Sequence, residues 1–255
     1  MSNNKAPTTT TEYDLTPKSE SKFVVFYFDM HGNCMTIRSL LCLANAIWED
    51  KLTSFGPAWD AEKPKTPFGA LPILYETRPD GDTRMLPEAS AIERYLSRTL
   101  GFMGADDWEE AQINVYVSLI EETGRKWLFK CFEVPEAEAR AKSVTEWIDG
   151  DLAKLVSHAE KQIQQNGHRG YLVGNKISYA DVLLSTWLDV WMSMDSSRVV
   201  NKTATPGIWR LKQAIDHHPH MAAYRNTELF EEFNRGQQGF FGSMMDYDYK
   251  RSQVL

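Results

Sequence analysis

Apolar residues change their spacing part-way along the chain. Phe23-Val24-Val25-Phe26-Tyr27-Phe28 is a short aromatic and β-branched run, which predicts a buried strand. After the Gly32-Asn33 turn, Ile37, Leu40, Leu41, Ala44 and Ile47 recur at helical spacing. Residues 48–54 carry a weaker strand signal, and the stretch to Lys65 is too broken by Pro and Gly for a long helix. Pro72-Ile73-Leu74-Tyr75-Glu76 reads as a third strand, and Pro79-Asp80-Gly81-Asp82 as a turn that returns Thr83 to Leu86 beside it. From Pro87 an amphipathic helix sets Ala91, Ile92, Tyr95 and Leu96 on one stripe. Beyond Gly101–Asp106, a plausible linker, the period is helical throughout: long helices over 107–130 and 135–165, shorter ones over 178–195, 207–217 and 219–233. The order β-α-β, then β-β-α, then helices alone predicts an α/β unit followed by an all-α unit. We expect a disordered, Thr- and Ser-rich extension over 1–21, the α/β unit over 22–102, the helical unit over 103–242 and a tail over 243–255.

Composition narrows the class. The chain has 255 residues, enough to bury a core without disulfide or metal staples. With 28 Lys and Arg against 35 Asp and Glu, the balance is acidic and speaks against a nucleic-acid partner. Cys34, Cys42 and Cys131 form no CxxC pair and no disulfide framework, so a reducing, cytoplasmic setting is expected. No apolar run approaches the ~20 residues of a membrane span, and the polar start reads as neither a signal nor a transit peptide. His217, His218 and His220 flank Pro219 at a spacing unsuited to two ligands on one helix face, so no metal site is expected. The 8 Trp, 10 Tyr and 12 Phe are unusually many, and composition does not say whether they build core or a binding surface.

Five ordered motifs carry a resemblance. Thr66-Pro67-Phe68-Gly69-Ala70-Leu71-Pro72-Ile73-Leu74 resembles the "PFGxLPxL" stretch of cytosolic glutathione transferases, and Pro87-Glu88-Ala89-Ser90-Ala91-Ile92-Glu93-Arg94-Tyr95-Leu96 resembles the helix that follows it. Tyr27-Phe28-Asp29-Met30-His31-Gly32 is similar to the first strand and turn of the tyrosine type, nearest to the sigma class. Trp59 and Lys63 lie where that class places a Trp and a Lys facing glutathione. Ile177-Ser178-Tyr179-Ala180-Asp181 resembles the capping motif of the helical domain. The resemblance spans about 22–235 and implies a thioredoxin-like N-terminal domain joined to a helical C-terminal domain.

It also implies roles. Tyr27 would donate its O–H to the glutathione sulfur and favour the thiolate, the nucleophilic form of a thiol. From the strand alone, Tyr27 is one more ring in an aromatic run. Pro72 would be cis, aiming the N–H and C=O of Leu71 at the cysteinyl backbone. Glu88 and Ala89 open a helix whose free N–H groups suit the γ-glutamyl carboxylate, although Ala89 lacks the hydroxyl that the family usually has there. Trp59 and Lys63 would close over the glycyl end, and Glu122 would reach the γ-glutamyl amine of the other subunit's ligand. Asn33 replaces the Arg usual after the turn glycine, and Arg38 is expected a full turn away. His31, Trp127, Phe129 and the late aromatics near Phe240 are candidate liners of an electrophile site. Ser178 and Asp181 form a capping box, a structural feature.

The expected function is therefore a glutathione S-transferase, homodimeric, with glutathione as co-substrate and a small hydrophobic electrophile as partner. Conjugation, peroxide reduction and isomerisation share the thiolate step, and detoxification is the broad role the family implies. Two alternatives stand. Ala89 and Asn33 motivate a non-catalytic binding or scaffold protein on this fold. Cys34, at a helix start where the dipole lowers a thiol's pKa, motivates a thiol reductase.

Overall fold

A computed structural model describes residues 13–254, apart from 168–169, 195–196 and 198–199. The first strand, β1 (Lys22–Phe28), is central to the sheet because both of its edges are paired. It runs parallel to β2 (Ile47–Thr53), with Tyr27 opposite Leu52, and antiparallel to β3 (Ile73–Thr77), with Phe26 opposite Ile73. β4 (Thr83–Pro87) closes the other edge, so the order is β2-β1-β3-β4. Alternation sends Phe23, Val25, Tyr27 and Leu74 into the main core, beside α1 (Met35–Leu43) and α3 (Ala89–Thr99). A short helix, α2 (Pro57–Glu62), follows β2.

Every residue of α1 is buried, because the helix lies between the sheet and the helical unit. That unit starts with α4 (Asp107–Phe132), capped by the Asp106 side chain, which accepts from the N–H groups of Trp108 and Glu109. The expected helix over 135–165 runs unbroken as α5 (Ala137–Trp147) and α6 (Ala153–Gln165), joined by a wider π-type turn at Ile148–Leu152 around Gly150. α7 (Tyr179–Met192) is buried along almost its whole length. Asp181 anchors its start, accepting from Ser178 N (2.8 Å), Ser178 Oγ (2.6 Å) and Leu172 N (2.9 Å). α8 (Pro206–Asp216) follows. The expected helix over 219–233 is two, α9 (Pro219–Arg225) and α10 (Glu228–Gly242), because Thr227 breaks the first and caps the second through Phe230 N.

Both ends depart from the expected disorder and tail. Residues 1–12 lie outside the described residues, but Tyr13–Ser21 lies against the body. Lys18 N donates to Ala44 O (3.0 Å), Asn45 Nδ2 donates to Leu15 O (3.2 Å), and Tyr13 packs edge-on against His218. These contacts tie a polar segment down despite its composition. After α10 the chain folds back, and Tyr247 is buried.

A buried ion pair links the first helix to the sheet. Arg38 Nε lies 2.9 Å from Asp50 Oδ1, with both side chains almost wholly enclosed. Removing one partner leaves an uncompensated buried charge. Asp50→Ala is therefore expected to lower unfolding free energy by about 3–5 kcal/mol, measured by chemical denaturation, with Asp50→Asn costing less.

Candidate active site

The Gly32 turn after β1 and the start of α3 face α4, α7 and α10 across a cleft of about 220 Å³. The turn contributes Gly32 and Asn33, α1 contributes Met35 and Thr36, and α3 contributes Ala89, Ser90 and Glu93. The helical unit supplies Glu121, Trp127, Leu128, Leu183, Thr186, Trp187, Val190, Gln237 and Phe241. One end is a wall of rings: Trp127 meets Trp187 edge-on at 5.9 Å and Phe241 at 5.2 Å. The other end is polar. Thr36 and Thr186 pair their hydroxyls at 2.8 Å, and Glu93 and Glu121 bring two carboxyls.

Tyr27 lies directly behind the turn. Its hydroxyl oxygen accepts from Asn33 N at 3.1 Å, which leaves its own O–H free to donate. Gly32 adopts φ of 43°, a region that favours glycine, and a methyl group there would overlap the Tyr27 hydroxyl. Burial pushes the Tyr27 phenol up to about 12, so it is a neutral donor at ordinary pH. Arg38 places its guanidinium 6.0 Å from the Tyr27 ring centre.

The Leu71–Pro72 bond is cis, and Leu71 sits just beyond the last ladder pair, Phe26–Ile73. Glu88 precedes α3 with φ 75° and ψ 117°, a left-handed setting that costs a non-glycine residue about 1–3 kcal/mol. No side chain caps α3, so its first N–H groups face outward at the cleft mouth beside Ala89. Trp59 is partly exposed and packs edge-on against Phe28 at 5.5 Å; Lys63 is exposed, its stem lying over Gly69.

Several expectations are corrected. His31 does not line the cleft: it is 1% exposed, packed against Phe230 and Phe233, and burial pulls its imidazole down to about 3. Phe129 lies half-exposed on α4 outside the cleft, and Leu128 lines it instead. Glu122, expected to reach the other subunit's ligand, stays on the exposed face, where it pairs with Lys126 (3.0 Å); Glu121 faces this chain's own cleft. Glu121 accepts from Ser90 Oγ (3.0 Å) and from Arg94 (3.1 Å). Cys34 is wholly buried and its thiol is pushed well above the ordinary value by burial, which outweighs the helix start and removes the basis for a Cys34 reductase. Phe240 does not line the cleft either; it stacks near Phe55 at 6.0 Å, bridging the two units.

Comparison with known proteins decides the family. A family profile described as "Glutathione S-transferase, C-terminal domain" matches residues 121–228. The chain is 32% identical over 168 residues to "Probable glutathione S-transferase 7" of Caenorhabditis elegans, covering 64% of this chain and 77% of that protein. It is 30% identical over 176 residues to "Glutathione S-transferase 1" of Ascaris suum, covering 68% and 82%. The chain belongs to the glutathione S-transferase family. In fold it is similar to the Pi-class enzyme of Onchocerca volvulus (TM-score 0.69, 23% identity, 84% of this chain and 95% of that one). It is equally similar to the sigma-class enzyme of Fasciola hepatica (TM-score 0.67, 24% identity, 80% and 95%).

Within this glutathione S-transferase fold, Glu93 is a further cleft residue. It is 7% exposed, and Tyr179 OH donates to its Oε2 at 2.7 Å across the boundary between the two units. Burial first, and then the charge of Glu121, push its carboxyl up from 4.5 to about 8, against the Tyr179 hydrogen bond. From about pH 5 to 8 the unfolded chain has lost this proton and the folded chain keeps it, so stability falls as pH rises through that window. Melting temperature is expected to decline across it, and Glu93→Gln, which cannot ionise, to flatten the decline.

Proposed function

We propose that the chain binds glutathione along the edge of its N-terminal unit and that Tyr27 turns the bound thiol into a thiolate for attack on an apolar electrophile. The observation that carries this reading is the Tyr27 hydroxyl. It is buried, neutral, already supplied with one backbone N–H, and left with its own proton to give. A thiol is mostly protonated at neutral pH, and each unit of lowering needs about 1.4 kcal/mol of preference for the thiolate. One charge-assisted hydrogen bond in a water-poor cleft is of that size.

The remaining contacts follow the same edge. Leu71, beside cis-Pro72, pairs its backbone with the cysteinyl unit. The free N–H groups at Ala89 and Ser90, with strained Glu88, take the γ-glutamyl carboxylate; the missing hydroxyl at Ala89 weakens that grip. Lys63 and Trp59 meet the glycyl end. Glu122, on the exposed face of α4, reaches the γ-glutamyl amine of the other subunit's ligand. Trp127, Leu128 and Phe241 offer the electrophile an apolar wall. The reading includes a sigma-like tyrosine site, a homodimer, and a cytoplasmic setting that suits three free, buried cysteines. Among the described residues no helix is long and apolar enough to cross a membrane.

Ala89 also keeps the scaffold reading in view, and one experiment separates the two. In Tyr27→Phe, glutathione affinity by calorimetry should stay within about threefold while conjugation of an aryl halide falls about 100-fold. Unchanged turnover would contradict the Tyr27 role. A folded wild-type protein that takes up no glutathione would favour the scaffold.

A further inference from the structure

α10 rests directly on the turn that covers Tyr27. Gly236 makes this possible, because a side chain there would run into the Asp29 carbonyl oxygen. One residue on, Gln237 is 3% exposed, and its Oε1 accepts the Gly32 N–H at 2.9 Å. An N–H can only donate, so this bond fixes which way the amide points and turns Nε2 to the opposite side. There Nε2 donates to the Tyr247 hydroxyl at 2.6 Å. Tyr247 comes from the segment after α10 and is itself tightly held. Its ring packs on Phe241 at 5.2 Å, its carbonyl accepts from Gln238 Nε2, and Asp248 N donates to Ser193 O at 2.8 Å. A single amide thus joins the C-terminal segment to Gly32.

On its other side, Gly32 is in contact with the Tyr27 hydroxyl, and the next N–H, that of Asn33, donates to it. The turn is therefore both the wall and the donor that place this oxygen. A shift of the turn by a few tenths of an ångström changes the direction in which the phenol proton is aimed, and hydrogen bonds weaken steeply with misdirection.

We propose that Gln237, oriented by Tyr247, is a positioning residue that holds the Gly32–Asn33 turn and through it aims the Tyr27 hydroxyl at the thiol. This rests on the Tyr27 reading above. Oε1 and Nε2 of Gln237 each have a partner within the protein, and the proposal places its effect on the turn. The C-terminal segment then serves catalysis at one remove: it completes the clamp on the turn.

The test is the pH dependence of aryl halide conjugation at saturating glutathione, which reports the titration of the bound thiol. Four proteins are compared: wild type, Gln237→Leu, Tyr247→Phe and Tyr27→Phe. Gln237→Leu should raise the apparent pKa by about half a unit to one unit, so that three to ten times less thiolate is present below it. Tyr247→Phe, which loses only the orienting partner, should shift it in the same direction by less. Glutathione affinity should stay within about twofold in both. A loss of packing alone would lower stability and the active fraction and leave the pKa in place. If Gln237→Leu does not fold, Tyr247→Phe carries the test. A pKa equal to wild type in the folded variants, with a raised pKa in Tyr27→Phe, overturns the proposal alone. A pKa unmoved in Tyr27→Phe overturns the Tyr27 reading and this proposal with it.

Discussion

Arg38 puts a positive charge where almost no water reaches, and four parts of the molecule are arranged around that fact. One N–H goes to Met30 O (2.7 Å) in the turn after β1 and another to Asp50 on β2 (2.9 Å). The guanidinium plane lies 3.9 Å from the ring centre of Phe233 on α10 and 6.0 Å from that of Tyr27 on β1. A buried guanidinium must keep its partners, since losing one leaves a charge that neither water nor protein compensates. Helix, sheet, turn and the last long helix are thereby fixed relative to one another, and the Tyr27 hydroxyl is fixed with them. The same enclosure explains His31. It sits in the turn gripped by Arg38, and its ring is packed inward among phenylalanines.

The two ends of the cleft differ in what they can do. The ring-lined end around Trp127 and Phe241 removes apolar surface from water without selecting for a particular functional group. The end nearer α3 has direction: helix N–H groups without a cap, a strained Glu88, and carboxyls at Glu93 and Glu121. Strain at Glu88 persists because the strand before it and the helix after it are both anchored, an arrangement found where a backbone is held ready for a ligand. The thiol chemistry would take place where these ends meet, beside the Gly32 turn.

Much of this was legible in the sequence. Periodicity gave the strands at Phe23–Phe28 and Pro72–Glu76 and the long α4, and the Ser178-x-x-Asp181 spacing gave the capping box, since each is a local pattern. Helix irregularities were less visible: Thr227 divides a helix that the apolar period alone continues, and Gly150 sits in a π turn inside another. The resemblance foresaw two backbone features, the cis Leu71–Pro72 bond and the helix start beside Ala89. The site was misread where it depends on which way a side chain turns, as for Leu128 against Phe129, and His31. Gln237 carried no signal at all. A buried glutamine is distinguished only by the groups that meet it, and Gly32 and Tyr247 meet it from 205 and 10 residues away.

The central claim is that this cleft lowers the pKa of a bound thiol. The most direct measurement is an ultraviolet titration of the thiolate in the complex of the wild-type protein with glutathione. The account predicts an apparent pKa at least one unit below the free-thiol value of about 8.5. A bound thiol that titrates at or above the free value would contradict it.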